Sequence, residues 1–239
     1  MIVYWSPYVS DKTDMVMSDL DYLQPEAAIN FILKPKLNTL HKRDNFSFCP
    51  AYKNAFKNVF GLRLSHDYNL TFNSDGVTTD DYDQTFFDAS IHIRSVEHKS
   101  ISFSQQYLFI SEKSLEMMVT PSYGEDNVFN KTCMLVPGKF DIGKWIRPVE
   151  CAFMVKDGYN SISLKRKDIY AYVYFETNEP VEMKRFVLTN DIKNVIYQTM
   201  KFRNNKLKML GKLQHFYEAY EQSKIHKYLI RKIKDNVLI

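Results

Sequence analysis

Short apolar runs at two-residue spacing mark residues 60–189 as strand-forming. Ile101-Ser102-Phe103-Ser104 and Ser161-Ile162-Ser163-Leu164 alternate strictly, the pattern of a half-buried strand. Leu62, Leu64, Leu70 and Phe72 fall in short runs separated by polar turns. Residues 107–110, 115–119 and 133–136 are apolar runs of strand length. Residues 169–175 (IYAYVYF) carry the strongest signal, with β-branched and aromatic residues and no charge. Period two would put Tyr170, Tyr172 and Tyr174 on one side and Ala171, Val173 and Phe175 on the other, drier side. A further strand over 181–188 follows the turn Asn178-Glu179-Pro180. About nine closely spaced strands predict a mainly β (α+β) chain, an antiparallel β-sandwich or open barrel. No helix-length pattern alternates with them, which argues against a parallel βαβ sheet.

The flanks read differently. Residues 25–33 (PEAAINFIL) predict a short helix opened by Pro25 and ended at Pro35. Residues 49–59 (CPAYKNAFKNV) repeat that logic, with Ala51, Ala55, Phe56 and Val59 on one face. Beyond residue 192 the period becomes helical, through Leu207, Leu210, Leu213, Tyr217 and Tyr220, then Ile225, Tyr228, Leu229 and Ile233. Three regions follow: an N-terminal extension with short helices (1–59), a β domain (60–189) and a basic helical C-terminal tail (190–239). Residues 192–222 are expected to be integral to the fold. Residues 224–239 are expected to be more loosely held.

Charge sharpens the reading of the tail. Residues 201–239 hold ten Lys or Arg against Glu218, Glu221 and Asp235, a surplus of seven. The whole chain is +4, so the remainder carries −3. Lys224, Lys227, Arg231, Lys232 and Lys234 are candidates for binding nucleic acid or a protein partner, another subunit included. The plain alternative is a solvated helix face.

Composition adds bounds. Hydrophobic residues make up 45% and charged residues 25%, so a packed core is expected and wholesale disorder is not. The three cysteines, Cys49, Cys133 and Cys151, are far apart and odd in number, which speaks against a disulfide framework or a paired-Cys zinc site. The first residues lack the basic and apolar regions of a signal peptide, and no run approaches a membrane span. The expected setting is a host-cell cytoplasm or a virion, with no membrane, no metal and no cofactor.

Candidate chemistry is sparse. The acidic stretch 75–88 reads as a solvated loop, because the spacing of a calcium loop is missing. His92 and His98 could share a strand face, but no third ligand converges with them. His66-Asp67 could be an acid–base pair or simply a turn. Residues 137–150 (PGKFDIGKWIRPVE) are the most individual stretch. They read as a turn with an anchored Trp, or as a pocket in which Asp141, Lys144, Trp145 and Arg147 meet a ligand.

That stretch carries a resemblance. "LVPGKFDIGKW", "ECAFMVKDGYNSISLKRKDIYAYVYFET" and "NEPVEMKRF" resemble uncharacterised proteins of marine and enteric bacteriophages. "NFSFCPAYKNAFKNVF" and "SHDYNL" fit the same pattern, which covers roughly residues 43–188. The resemblance implies a viral origin and brings no known activity. A more distant likeness is to the β-clip of deoxyuridine triphosphatases, in which Asp141 would lie beside a nucleotide and 166–168 would form a later turn. The upstream Arg-Ser phosphate motif and the Gly-rich closing arm of those enzymes are missing, which puts catalysis in doubt.

Three functions compete. The first is a non-enzymatic viral protein, a virion component or macromolecule-binding effector that self-associates or binds a protein. The second is a nucleotide-binding or nucleotide-hydrolysing enzyme using Asp141, with His66 as a weaker catalytic candidate. The third is nucleic-acid binding through the basic tail.

Overall fold

The computed structural model of the chain describes residues 1–8, 23–32, 49–210, 220 and 224–238. It is mainly β, with three sheets and helices at both ends of the chain. The six-stranded sheet runs β14 (Glu182–Arg185), β1 (Ile2–Pro7), β7 (Ser100–Ser111), β11 (Val149–Val155), β9 (Cys133–Leu135), with β6 (Ile91–Ser95) also on β7. The five-stranded sheet runs β10 (Gly138–Asp141), β8 (Glu116–Pro121), β13 (Ile169–Phe175), β3 (Val59–Arg63), β2 (Glu26–Ala27). A three-stranded sheet holds β12 (Ser161–Leu164), β4 (Tyr68–Asn73) and β5 (Gly76–Thr78). One pair departs from the antiparallel expectation: β1 and β14 run parallel, Ile2 opposite Glu182 and Trp5 opposite Arg185. Residues 8–181 separate them, and a parallel pair needs a long crossover.

Alternation along the strands builds the layers. Val3 and Trp5 of β1, with Ile101, Phe103, Tyr107 and Phe109 of β7, point into one core. Leu62 of β3, Met117 of β8 and Val173 and Phe175 of β13 meet them from the five-stranded sheet. Tyr4, Leu108 and Ile110 lie one residue out of phase and bury on the opposite face of the six-stranded sheet. There they pack under α5 (Asn190–Leu210) and α6 (Ile225–Lys234), against Ile192, Ile196, Leu229 and Ile233. The outer face of the five-stranded sheet is covered in the same way. Val59 and Tyr172 pack with Ala28 of α1 (Ala28–Ile32) and with Phe56, just after α2 (Pro50–Ala55). Both sheets are therefore buried on both faces over much of their area.

Four expectations change. In β13 the pairing register with β3 shifts between Ile169 and Ala171, and Tyr170 joins Ala171 in the main core. A bulge of this kind breaks the two-residue alternation locally, so Tyr170 leaves the side of Tyr172 and Tyr174. Tyr172 and Val173 are equally buried because both sides of the strand are covered. Residues 26–27, expected in a helix, form β2, and among the described residues the helix covers Ala28–Ile32. The acidic stretch is not all loop. Asp83 Oδ1 accepts the Phe86 N–H at 2.8 Å and caps α3 (Gln84–Ser90).

The C-terminal segment is also held more firmly than expected. Leu229, Ile230 and Ile233 of α6 are buried. Past α6 the chain lies along the β14 side: Val187 N–H donates to Asn236 O and Leu238 N–H to Arg185 O, both at 2.9 Å. A segment this buried and paired belongs to the packed layer. The N-terminal stripe positions Leu213 and Tyr217 lie outside the described residues. Among the described residues no helix is long and apolar enough to cross a membrane.

Candidate functional site

The stretch around Asp141 is organised by its own carboxylate. Asp141 ends β10, and its Oδ1 accepts the backbone N–H of Leu115 at 2.9 Å and of Gly143 at 2.8 Å. Oδ2 accepts the Ser114 hydroxyl at 2.5 Å, and Lys144 Nζ stands 3.8 Å away. The side chain is only 13% exposed. Gly143 is required by close approach: a Cβ there would lie 2.5 Å from Lys113 O. The carboxylate thus ties the β7–β8 turn to the β10–β11 loop. A ligand at Asp141 would have to displace these donors.

The four residues predicted to share that pocket separate into two groups. Asp141 and Lys144 stay together. Trp145 stacks on Phe140 at 4.8 Å between ring centroids, and the Arg147 guanidinium lies 4.9 Å from the Trp145 ring centre. Arg147 then reaches a different carboxylate, Glu150, at 3.4 Å.

Glu150 is the centre of a cluster that the sequence did not single out. Its Oε1 faces Arg94 at 2.6 Å, the Ser102 hydroxyl at 2.7 Å and His92 Nδ1 at 3.0 Å. Arg94 Nε also donates to Ser102 Oγ at 3.1 Å. Glu150 is 10% exposed, whereas His92 and Arg94 are 49% and 50% exposed. Burial pushes its carboxyl upward, but hydrogen bonds from His92 and Ser102 and the Arg94 charge override that and leave it below its ordinary value. The residues come from β6, β7, β11 and the β10–β11 loop. The signal in the sequence was faint: His92 and Arg94 two apart on one strand, and Arg147 three before Glu150.

His66 is caged rather than poised. Its ring lies edge-on to Tyr68, Tyr82 and Phe86, and Nδ1 is 2.8 Å from Ser65 Oγ. Burial, aided by the Arg166 charge and opposed by Asp67, lowers its pKa to about 4. Asp67 Oδ1 accepts the Arg166 backbone N–H at 2.7 Å, so it ties two turns together rather than orienting the imidazole. Burial also raises the Cys133 thiol to about 11 and Cys151 to about 12. Thiols so placed stay protonated and unreactive at neutral pH.

The tail cations divide as well. Lys234 pairs with Glu112 at 2.8 Å and Lys232 with Asp191 at 3.7 Å. Arg231 and Lys232 each lie 5.7 Å from the Tyr228 ring centre. Lys224, Lys227 and Arg231 are exposed. Beside them a groove of about 730 Å³ opens between α5 and α6, lined by Val195, Thr199, Phe202, Tyr220, Ile225 and Tyr228, with Lys224 at its margin. Phe202, Ile225 and Tyr228 are large apolar side chains exposed along this groove. Sequence reasoning found the cations but not the groove, because the exposed aromatics of α5 meet those of α6 only in space. Compared with protein-family models, with curated proteins and with solved structures, the chain matches none.

Proposed function

We propose that this chain is a non-enzymatic binding protein, of bacteriophage type by the resemblance in its sequence, that engages a protein partner through the α5–α6 face. The observation that carries the reading is the apolar groove with its exposed aromatic lip. Contiguous exposed apolar surface next to polar residues is the mark of an interaction site. Lys224, in the lining, and Arg231, over the Tyr228 ring, set the charge of the partner. An amphipathic helix with apolar anchors and acidic flanks complements both features. A virion component and a host-directed effector would both use such a surface.

The test is direct binding of labelled probes, read by fluorescence anisotropy. The probes are an acidic amphipathic helical peptide, its Lys-substituted counterpart and a single-stranded oligonucleotide. The acidic peptide is expected to bind best, and Phe202→Ser with Tyr228→Ser to weaken it by about tenfold or more. Both side chains are exposed, so the fold should survive. Preference for the oligonucleotide, with a steep salt dependence, would replace this reading by nucleic-acid binding through the same cations. Equal, weak binding of all three probes would leave the face a solvated surface and end the proposal.

A further inference from the structure

We propose that the cluster around Glu150 is a binding site for a phosphate group, taken up by Arg94, His92 and Arg147 on the outer face of the six-stranded sheet. Register places the residues. His92 pairs across the strands with Ser102, and Arg94, at the register shift between Ile93 and Ser95, reaches the same Ser102 and the same Glu150 oxygen. Ser102 shares its side of β7 with Leu108 and Ile110, which lie under α5 and α6. The cluster therefore occupies a polar part of the sheet face whose apolar part carries the helices.

Charge points to an anion. One carboxylate, Glu150, faces two guanidinium groups and an imidazole. The cluster carries a surplus of one positive charge with His92 neutral and two with it protonated. Glu150 is nearly buried, while half of His92 and half of Arg94 stay in solvent. The acid thus anchors the cations from below and leaves the outer sides of His92 and Arg94 to a ligand, while Arg147 is more covered, at 19% exposed. Because Nδ1 of His92 turns towards Glu150, Nε2 is the nitrogen directed away from it. Arg94 is fixed at two atoms, by Glu150 and Ser102, and Arg147 rests on the Trp145 ring. Donors fixed in this way lose little side-chain freedom when a ligand arrives.

The chemistry favours phosphate over carboxylate. A phosphate monoester or inorganic phosphate offers three or more acceptor oxygens and up to two negative charges, which match the fork of Arg94 and the surplus charge. The same cations speak against a metal ion. The Ser, His and acid composition is not a nucleophile relay either. Ser102 is fully buried and donates to Glu150, and His92 faces the same oxygen.

The experiment titrates the full chain with inorganic phosphate, phosphoserine, acetate and chloride at constant ionic strength. The imidazole resonances of His92 are followed by NMR and assigned with His92→Gln. A saturable shift with phosphate or phosphoserine is expected, with acetate weaker by about tenfold. Tighter binding of phosphoserine would identify a monoester as the ligand. Tighter binding of inorganic phosphate would identify the free ion. Arg94→Gln should weaken binding about tenfold or more, and Arg94→Lys less, since charge stays but the fork is lost. If Arg94→Gln fails to fold, Arg147→Lys provides the same comparison. A shift that chloride reproduces, or unchanged phosphate affinity in a folded Arg94→Gln or Arg147→Lys variant, would overturn the proposal. None of these outcomes depends on the α5–α6 groove.

Discussion

Asp141 and Glu150 stand nine residues apart at the two ends of one loop, and both are nearly buried carboxylates. Their partners differ. Asp141 accepts two backbone N–H groups and a turn hydroxyl, all from the segments it joins. Glu150 accepts from the buried Ser102 and from His92 and Arg94, which remain half in solvent. A carboxylate spent on backbone donors holds the chain. A carboxylate spent on exposed cations arranges those cations for something else. Residue type and burial are nearly the same in the two places, so the partners alone separate a structural acid from a candidate site.

The largest effect should come from Asp141→Ala. It leaves the Leu115 and Gly143 N–H groups without their acceptor, at about 1–3 kcal/mol for each buried donor. A loss of about 3 kcal/mol in chemical denaturation is expected. A loss below about 1 kcal/mol would erase the contrast with Glu150, because the turn would then not depend on its acid. Glu150→Gln should cost less, about 1 kcal/mol, since its cationic partners can be solvated when the charge is removed. Losses of equal size in the two variants would break the comparison outright.

The subtlest test uses pH. His66 holds its folded pKa near 4, against an ordinary value of 6.5. As pH falls below about 6.5, the unfolded chain takes up this proton before the folded one does. Stability should therefore be full above that value, decline down to about pH 4 and change no further from this group. Glu150 acts with the same sign but lower: its folded value lies below the ordinary 4.5, so its contribution is present above that and fades as pH falls through the folded value. Thermal melts of His66→Gln should lose the upper part of the acid slope, and those of Glu150→Gln the lower part. A His66→Gln profile that superimposes on the wild type would show that the aromatic cage does not hold the imidazole neutral.

Much of the sheet was legible because two-residue alternation survives in short runs. Ile101-Ser102-Phe103 and Ser161 to Leu164 lie in β7 and β12 as their pattern predicts. The edge cases were not. Tyr170 followed a bulge, which period two cannot encode. Residues 2–7 read as nothing definite, since IVYWSP is buried on both faces and carries no alternation. The Glu150 cluster was hidden for a related reason. Its members stand between 48 and 58 residues away from Glu150 on β6 and β7, and only Arg147 is close in sequence.

The sequence by itself determined the mainly β class, the basic tail and its helical character, because alternation, charge and 3.6-residue spacing are local properties of the chain. Only the tertiary structure decided which faces were covered and which polar groups met. It turned the tail into a layer over Tyr4, Leu108 and Ile110, left an aromatic groove between two helices, and gave Asp141 to the backbone and Glu150 to Arg94 and His92. Those outcomes depend on pairings between distant segments. A strand's pattern states that a face must be buried, but the partner that buries it, or the cation that meets its carboxylate, is fixed only when the sheets assemble.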